Sequence, residues 1–264
     1  MRRFFIVAAV FAAALSLNCT DAGAWGRTGH KVVVAIAQRH LSERTRRNID
    51  ALLGYDFRED ASWMDDHRKD EEYAYTGNYH CMGMSRDYIY DPTVRMQMGG
   101  DCVSGLQFVD YMLTHTGELH AGDSVRIFHL RMLIHIVGDM HSLPHAYMYP
   151  ERNQWPCRLA GVEYKYHGFL DRIPDTIWAG KTVDEIALDI DTFSRRQIKA
   201  CTKGSFVDWA QDCCTRDKVI YDVNPYGTYD MDPDTIEKIT PAVREALAFA
   251  GYRLACLLEK YFSY

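Results

Sequence analysis

The chain has 264 residues, 47% hydrophobic and 25% charged, with 36 acidic against 30 basic side chains and a formal net charge of −6. That length suits one sizeable core, and no linker or repeat divides it. An acidic balance argues against a plain basic surface for nucleic acid, but it excludes no polyanionic substrate, because bound cations can reverse the local sign where a phosphate lands.

In chain order, Arg2-Arg3 precede an apolar stretch from Phe4 to Leu17, too short and wrongly flanked for a membrane anchor. Ala22-Gly23-Ala24 then forms the small-x-small pattern of a signal-peptidase site. Residues 1–24 are therefore expected to be a signal peptide and residues 25–264 the mature domain, secreted or periplasmic, without a membrane anchor and monomeric. A competing reading makes Cys19 a lipid-bearing cysteine, although Asn18 stands where that signal prefers a small side chain. Cleavage after Ala24 leaves Trp25 with a free α-amino group, itself a potential metal donor.

Ser42 reads as the N-cap of a helix that Gly54 stops. Within Ala61-Ser62-Trp63-Met64-Asp65-Asp66-His67-Arg68, a helix would place Asp65 and Arg68 one turn apart, as an internal ion pair or as a metal ligand beside a free guanidinium. The run from Asp123 to Asp139 predicts a central helix packed on most sides, broken by Pro144. Between Tyr147 and His167 the Pro150, Asn153, Pro156 and Gly161 punctuation predicts a loop or a small β-hairpin. Helices follow over Val183–Ala200 and Phe206–Val219, and Thr240-Pro241 opens a last one ending near Phe262. The fold class is all-α, a single mostly helical domain. Seven cysteines would survive cleavage, with structural disulfides expected and at least one cysteine left over.

Histidines and carboxylates carry the chemistry. His135 and Asp139 lie four apart, so both project from one helix face, and His167 and Asp171 repeat that spacing. A buried His bonded to an Asp would explain either pair alone. His145, just past Pro144, can fold a third donor back over the helix end. Together with His30, Asp65 and His80 these are zinc donors that need no cysteine.

Trp25-Gly26-x-x-Gly29-His30, Ser62-Trp63-x-Asp65-x-x-Arg68, the isolated His80, His135-x-x-Gly138-Asp139-x-His141-x-x-Pro144-His145 and His167-x-x-x-Asp171 resemble class I nucleases. These are zinc-dependent single-strand nucleases of the fungal S-one and P-one type, distantly similar to zinc phospholipase C. The C-terminal Ala250-Gly251-Tyr252-Arg253-Leu254-Ala255 resembles their last helix.

The resemblance implies three zinc ions. Trp25, through its amine and carbonyl, would join His30 and Asp139 on one; Asp65, His80, His135 and again Asp139 would hold a second; His145, His167 and Asp171 would hold a third. It further implies Asp65, Arg68 and Asp139 as catalytic, with Arg68 neutralising phosphate charge. Its activity would be endonucleolytic cleavage of single-stranded DNA and RNA to 5′-phosphate products, with removal of 3′-phosphates from nucleotides. A phospholipase C-like or other phosphodiesterase using the same trinuclear site is the alternative.

Two departures stand out. Gly83 occupies the position where the family commonly places an Asp or Asn that reaches the base. The Tyr164, Lys165, Tyr166 and Arg172 neighbourhood also differs, so that Arg172 is a candidate substrate contact or an ordinary surface residue.

Overall fold

The computed structural model describes residues 25–148, 155–159, 162–223 and 229–264. The signal peptide expected over residues 1–24 lies outside these. Eleven α-helices are described: α1 (Gly26–Arg39), α2 (Glu43–Leu53), α3 (Trp63–His67), α4 (Cys102–Thr114), α5 (Asp123–Met140), α6 (Tyr166–Asp171), α7 (Ile173–Ile177), α8 (Val183–Ile190), α9 (Arg195–Cys201), α10 (Phe206–Val223) and α11 (Pro233–Phe262). Short 3-10 helices at Phe57–Ser62, Glu71–His80, Pro92–Met98 and Leu143–His145 join them. The class is all-α, as the apolar spacing predicts.

Five short strands make two small sheets. β1 (Met82–Gly83) pairs in parallel with β2 (Ala146–Tyr147), while β3 (Pro156–Leu159) lies between antiparallel β4 (Val162–Lys165) and parallel β5 (Tyr229–Asp230). The β3–β4 pair is the hairpin expected between Tyr147 and His167. The parallel β1–β2 pair has no sequence signal, since two-residue strands carry no readable period.

Helix α11 packs most extensively on α1, and α5 on α4. The crossing of α11 over α1 requires a glycine: a Cβ on Gly251 would stand 2.4 Å from Cγ2 of Ile36. In α5 every residue from His129 to Met140 except Arg131 is buried, as a helix apolar on most sides must be. Helix α2 begins at Ser42, whose hydroxyl accepts from the Thr45 N–H, and ends at Gly54 with φ 76° and its N–H on the Asp50 carbonyl.

Two helix boundaries differ from the sequence expectation. The stretch Val183–Ala200 splits into α8 and α9, because Asp191 leaves the helix to meet Arg39, His40 and the Tyr252 hydroxyl, and Ser194 starts α9 with a capping box to Gln197. The last helix begins eight residues earlier than Pro241, at Pro233, capped by the Asp232 carboxylate on the Thr235 N–H. Pro241 is interior to α11, and the Thr240 hydroxyl donates to the Ile236 carbonyl there, 2.7 Å away. The seven cysteines are free thiols, Cys256 exposed and the other six buried as small apolar groups. No helix among the described residues is long and apolar enough to cross a membrane.

Candidate metal centre

Helices α1, α3, α5 and α6 and two 3-10 turns direct their polar residues into one interior region. From α1 comes His30, five residues past Trp25, whose ring is wholly buried and whose backbone starts the helix at φ 51°. His30 lies against α5 where a glycine permits it: a Cβ on Gly138 would be 2.6 Å from the His30 Nδ1. The His30 and His135 rings stack with centroids 4.2 Å apart. From α5, one turn apart, come His135 and Asp139, both fully enclosed. Helix α5 ends at Met140, and the Leu143–His145 turn brings His145 back beside Asp139 and Asp171.

The structure gathers the eight side-chain donors expected from the sequence into three groups: His30, His135 and Asp139; Asp65, His80 and His135; and His145, His167 and Asp171. Within each, the donor atoms lie within 4.8 Å of one another. Asp139 divides its oxygens between the first two groups. Its Oδ1 is 3.2 Å from Nε2 of His30, while its Oδ2 is 2.6 Å from Nδ1 of His80 and 3.3 Å from Nε2 of His135. Asp65 completes the second group, its Oδ1 3.7 Å from His135 and 3.8 Å from His80. In the third, Asp171 presents Oδ2 to His167 at 3.2 Å and Oδ1 to His145 at 3.8 Å.

Backbone carbonyls fix two of the imidazoles. Nδ1 of His135 donates to the Ala61 carbonyl at 2.9 Å and Nδ1 of His145 to the His80 carbonyl, so Nε2 is in each ring the nitrogen turned to the carboxylates and the one that would ligate a cation. Sequence reading missed both carbonyls, since a backbone acceptor leaves no mark in residue type.

Despite the short separations, none of the four oxygens of Asp139 and Asp171 is aligned for a hydrogen bond, and neither ring nitrogen of His30 has one. Two carboxylates at 0% exposure without donors would cost several kcal/mol unless a cation satisfies them. The donor set of imidazole and carboxylate, divided into adjacent clusters, fits divalent zinc.

Electrostatics agree with charge compensation by a cation. Burial pushes the Asp171 carboxyl up to about 6. Against burial, which lowers it, the carboxylates of Asp139 and Asp65 raise the His135 imidazole to about 9. Burial drives His145 down to about 3, which keeps it neutral and able to ligate.

Arg68 caps the C-terminus of α3 and is half-buried. Among the described residues Arg68 forms no ion pair with Asp65 or with any other carboxylate. Asp66 pairs instead with Arg27. Arg172 caps α6 and passes over Gly26 near the start of α1. His141, inside the same motif, faces elsewhere, its Nδ1 bonded to the Val137 carbonyl and its Nε2 accepting from Arg253 at 2.8 Å.

A family model described as S1/P1 Nuclease matches residues 25–263, beginning at Trp25. The chain is also 24% identical over 280 residues to nuclease S1 of Aspergillus oryzae, an alignment covering 95% of this chain and 96% of that protein.

Proposed function

The chain belongs to the S1/P1 nuclease family and is a hydrolase of phosphodiester bonds, and from that premise we propose that it is an exported, zinc-dependent endonuclease of single-stranded DNA and RNA. It leaves 5′-phosphate ends and also removes 3′-phosphates from nucleotides. The observation that carries this reading is the pair of buried carboxylates, Asp139 and Asp171, whose oxygens face histidine nitrogens with no hydrogen bond of their own.

In this reading the Trp25 amine and carbonyl, His30 and Asp139 would hold one zinc; Asp65, His80, His135 and Asp139 would hold a second; and His145, His167 and Asp171 would hold a third. Export with cleavage before Trp25 is part of the proposal, supported by the family match beginning at that residue. Zinc bound by these residues would supply Lewis acidity and a water of pKa roughly 7 as the source of a nucleophile at neutral pH.

The chain's own residues do the positioning. Ala61 and His80 hold their imidazole partners in the ligating tautomer through backbone carbonyls. Arg68, unpaired at the end of α3, forks onto the non-bridging phosphate oxygens and offsets charge as the leaving oxygen develops it. Arg172, whose side chain passes beside Gly26 at the start of α1, is the second candidate substrate contact. Trp63, Tyr73 and Phe128 form a half-buried cluster of rings on and beside the element that carries Asp65, apolar faces on which an unpaired base can stack.

Incubating the mature protein with single-stranded DNA, RNA, a 3′-mononucleotide and phosphatidylcholine, each with and without a chelator, tests this. The first three substrates should be turned over and the chelator should stop it. Turnover of the lipid alone would overturn the reading in favour of a phospholipase C-like activity.

A further inference from the structure

Arg95 sits in the 3-10 helix Pro92–Met98 with 8% of its surface exposed. Its enclosed Nε has no hydrogen bond, and no carboxylate pairs with its guanidinium among the described residues. The other buried arginine, Arg253, meets Asp212 and His141, and Arg216, its side chain 5% exposed, meets Glu245. Its Nε is enclosed and unsatisfied while the two terminal nitrogens are not, so the charged fork of this otherwise buried arginine stays open to an anion.

Its surroundings say where that anion comes from. The Arg95 guanidinium lies over the Tyr147 ring, 5.2 Å from the centroid, and the same ring stands edge-on to His167 at 6.2 Å. Arg95 is thus one aromatic ring removed from the His145, His167 and Asp171 group. The segment is held firmly, because Tyr147 pairs with Gly83 across β1–β2, and Gly83 is covered by the turn that carries Arg95. A Cβ on Gly83 would stand 2.3 Å from the Asp91 carbonyl oxygen and 2.6 Å from Cβ of Val94. No side chain that reads a base can occupy position 83; Val94 fills that face, and the next residue is a cation.

We propose that Arg95 binds a non-scissile phosphate of the substrate strand, adjacent to the phosphate held at the His145, His167 and Asp171 group. This rests on the phosphodiesterase reading and specifies its substrate class as strands with flanking phosphates, recognised by backbone charge in place of a base edge. Guanidinium suits the task, since its planar fork meets two phosphate oxygens at once while its face stays on Tyr147.

The test uses zinc-loaded wild type, Arg95→Gln and Arg95→Lys on a single-stranded thymidine tetramer cut at its central linkage. Each flanking phosphate is replaced in turn by an uncharged methylphosphonate. Neutralising one particular flank should cost the wild type about ten-fold in kcat/KM, the size of one charge-assisted contact. Arg95→Gln should lose the same about ten-fold on the fully charged strand and nothing further on that neutral one, whereas Arg95→Lys should keep part of the preference. Equal loss by Arg95→Gln on every strand, the mark of a packing role, overturns the proposal, as does no loss at all. Anisotropy of the same labelled strands, protected by a phosphorothioate at the central linkage, must give the matching pattern in affinity. If the wild type cleaves no strand, the phosphodiesterase reading fails on its own, and the anisotropy still decides Arg95.

Discussion

Asp139 presents one oxygen to His30 and the other to His80 and His135, which is the geometry of a carboxylate shared between two cations. Asp171 faces one group only. Replacing Asp139 by Asn should therefore lower the zinc content of the folded protein by two ions, and replacing Asp171 by Asn by one, read by elemental analysis alongside circular dichroism. Equal losses from the two variants would contradict a bridging Asp139. At this scale the i, i+4 pairs His135–Asp139 and His167–Asp171 were legible from spacing and do share helix faces, whereas His30, Asp65 and His80 were joined to them by the family resemblance. The meaning of Asp65 next to Arg68 was not legible, because spacing alone permits an ion pair that the folded chain does not form. Arg95 was invisible altogether: a lone arginine in an irregular segment carries no pattern, and only tertiary packing shows that it is enclosed without a partner.

Among the elements, α1, α5 and α11 form the frame, and close approach between them depends on missing side chains. Gly251→Ala places a methyl group against Ile36 and within 3.2 Å of the Val33 carbonyl. Overpacking of about 1–3 kcal/mol should exceed the roughly 1 kcal/mol that alanine gains over glycine in a helix. The variant should unfold at lower urea concentration with an unchanged slope; a stabilised variant would show that α1 and α11 can separate freely. Helix ends legible in sequence were those with a local cause, such as Ser42 and Gly54. Those misread were decided at a distance. Asp191 is pulled out of helical register by Arg39 on α1 and Tyr252 on α11, and Pro241 is carried inside a helix whose flanks are buried on both sides.

Across the whole molecule, folding forces imidazoles and carboxylates into one dry region, and cations must relieve it. With zinc removed, His135 binds a proton up to about pH 9 in the folded chain but only to about 6.5 when unfolded. The folded state then holds more protons in that window, so its stability falls as pH rises from 6.5 through 9. The chelated protein should accordingly lose melting temperature over that range while the zinc-loaded protein does not, and His135→Asn should flatten the chelated profile. Toward acid, the Asp171 carboxyl takes a proton near pH 6 when metal-free, and that proton competes with zinc for the carboxylate, so its group should release the ion as pH falls below 6, measurable with a metal indicator. A zinc-loaded melting temperature that tracks the chelated one at every pH would refute a metal-compensated core. The sequence by itself determined the helical class, the histidines and carboxylates available as donors, and the capped ends of α2, because periodicity, residue chemistry and local caps are properties of neighbouring residues. Which oxygen faces which imidazole, which arginines lack a carboxylate partner among the described residues, and that Val94 and the Asp91 carbonyl close over Gly83 were decided only in the tertiary structure. Those depend on contacts between segments far apart in the chain, which local patterns do not encode.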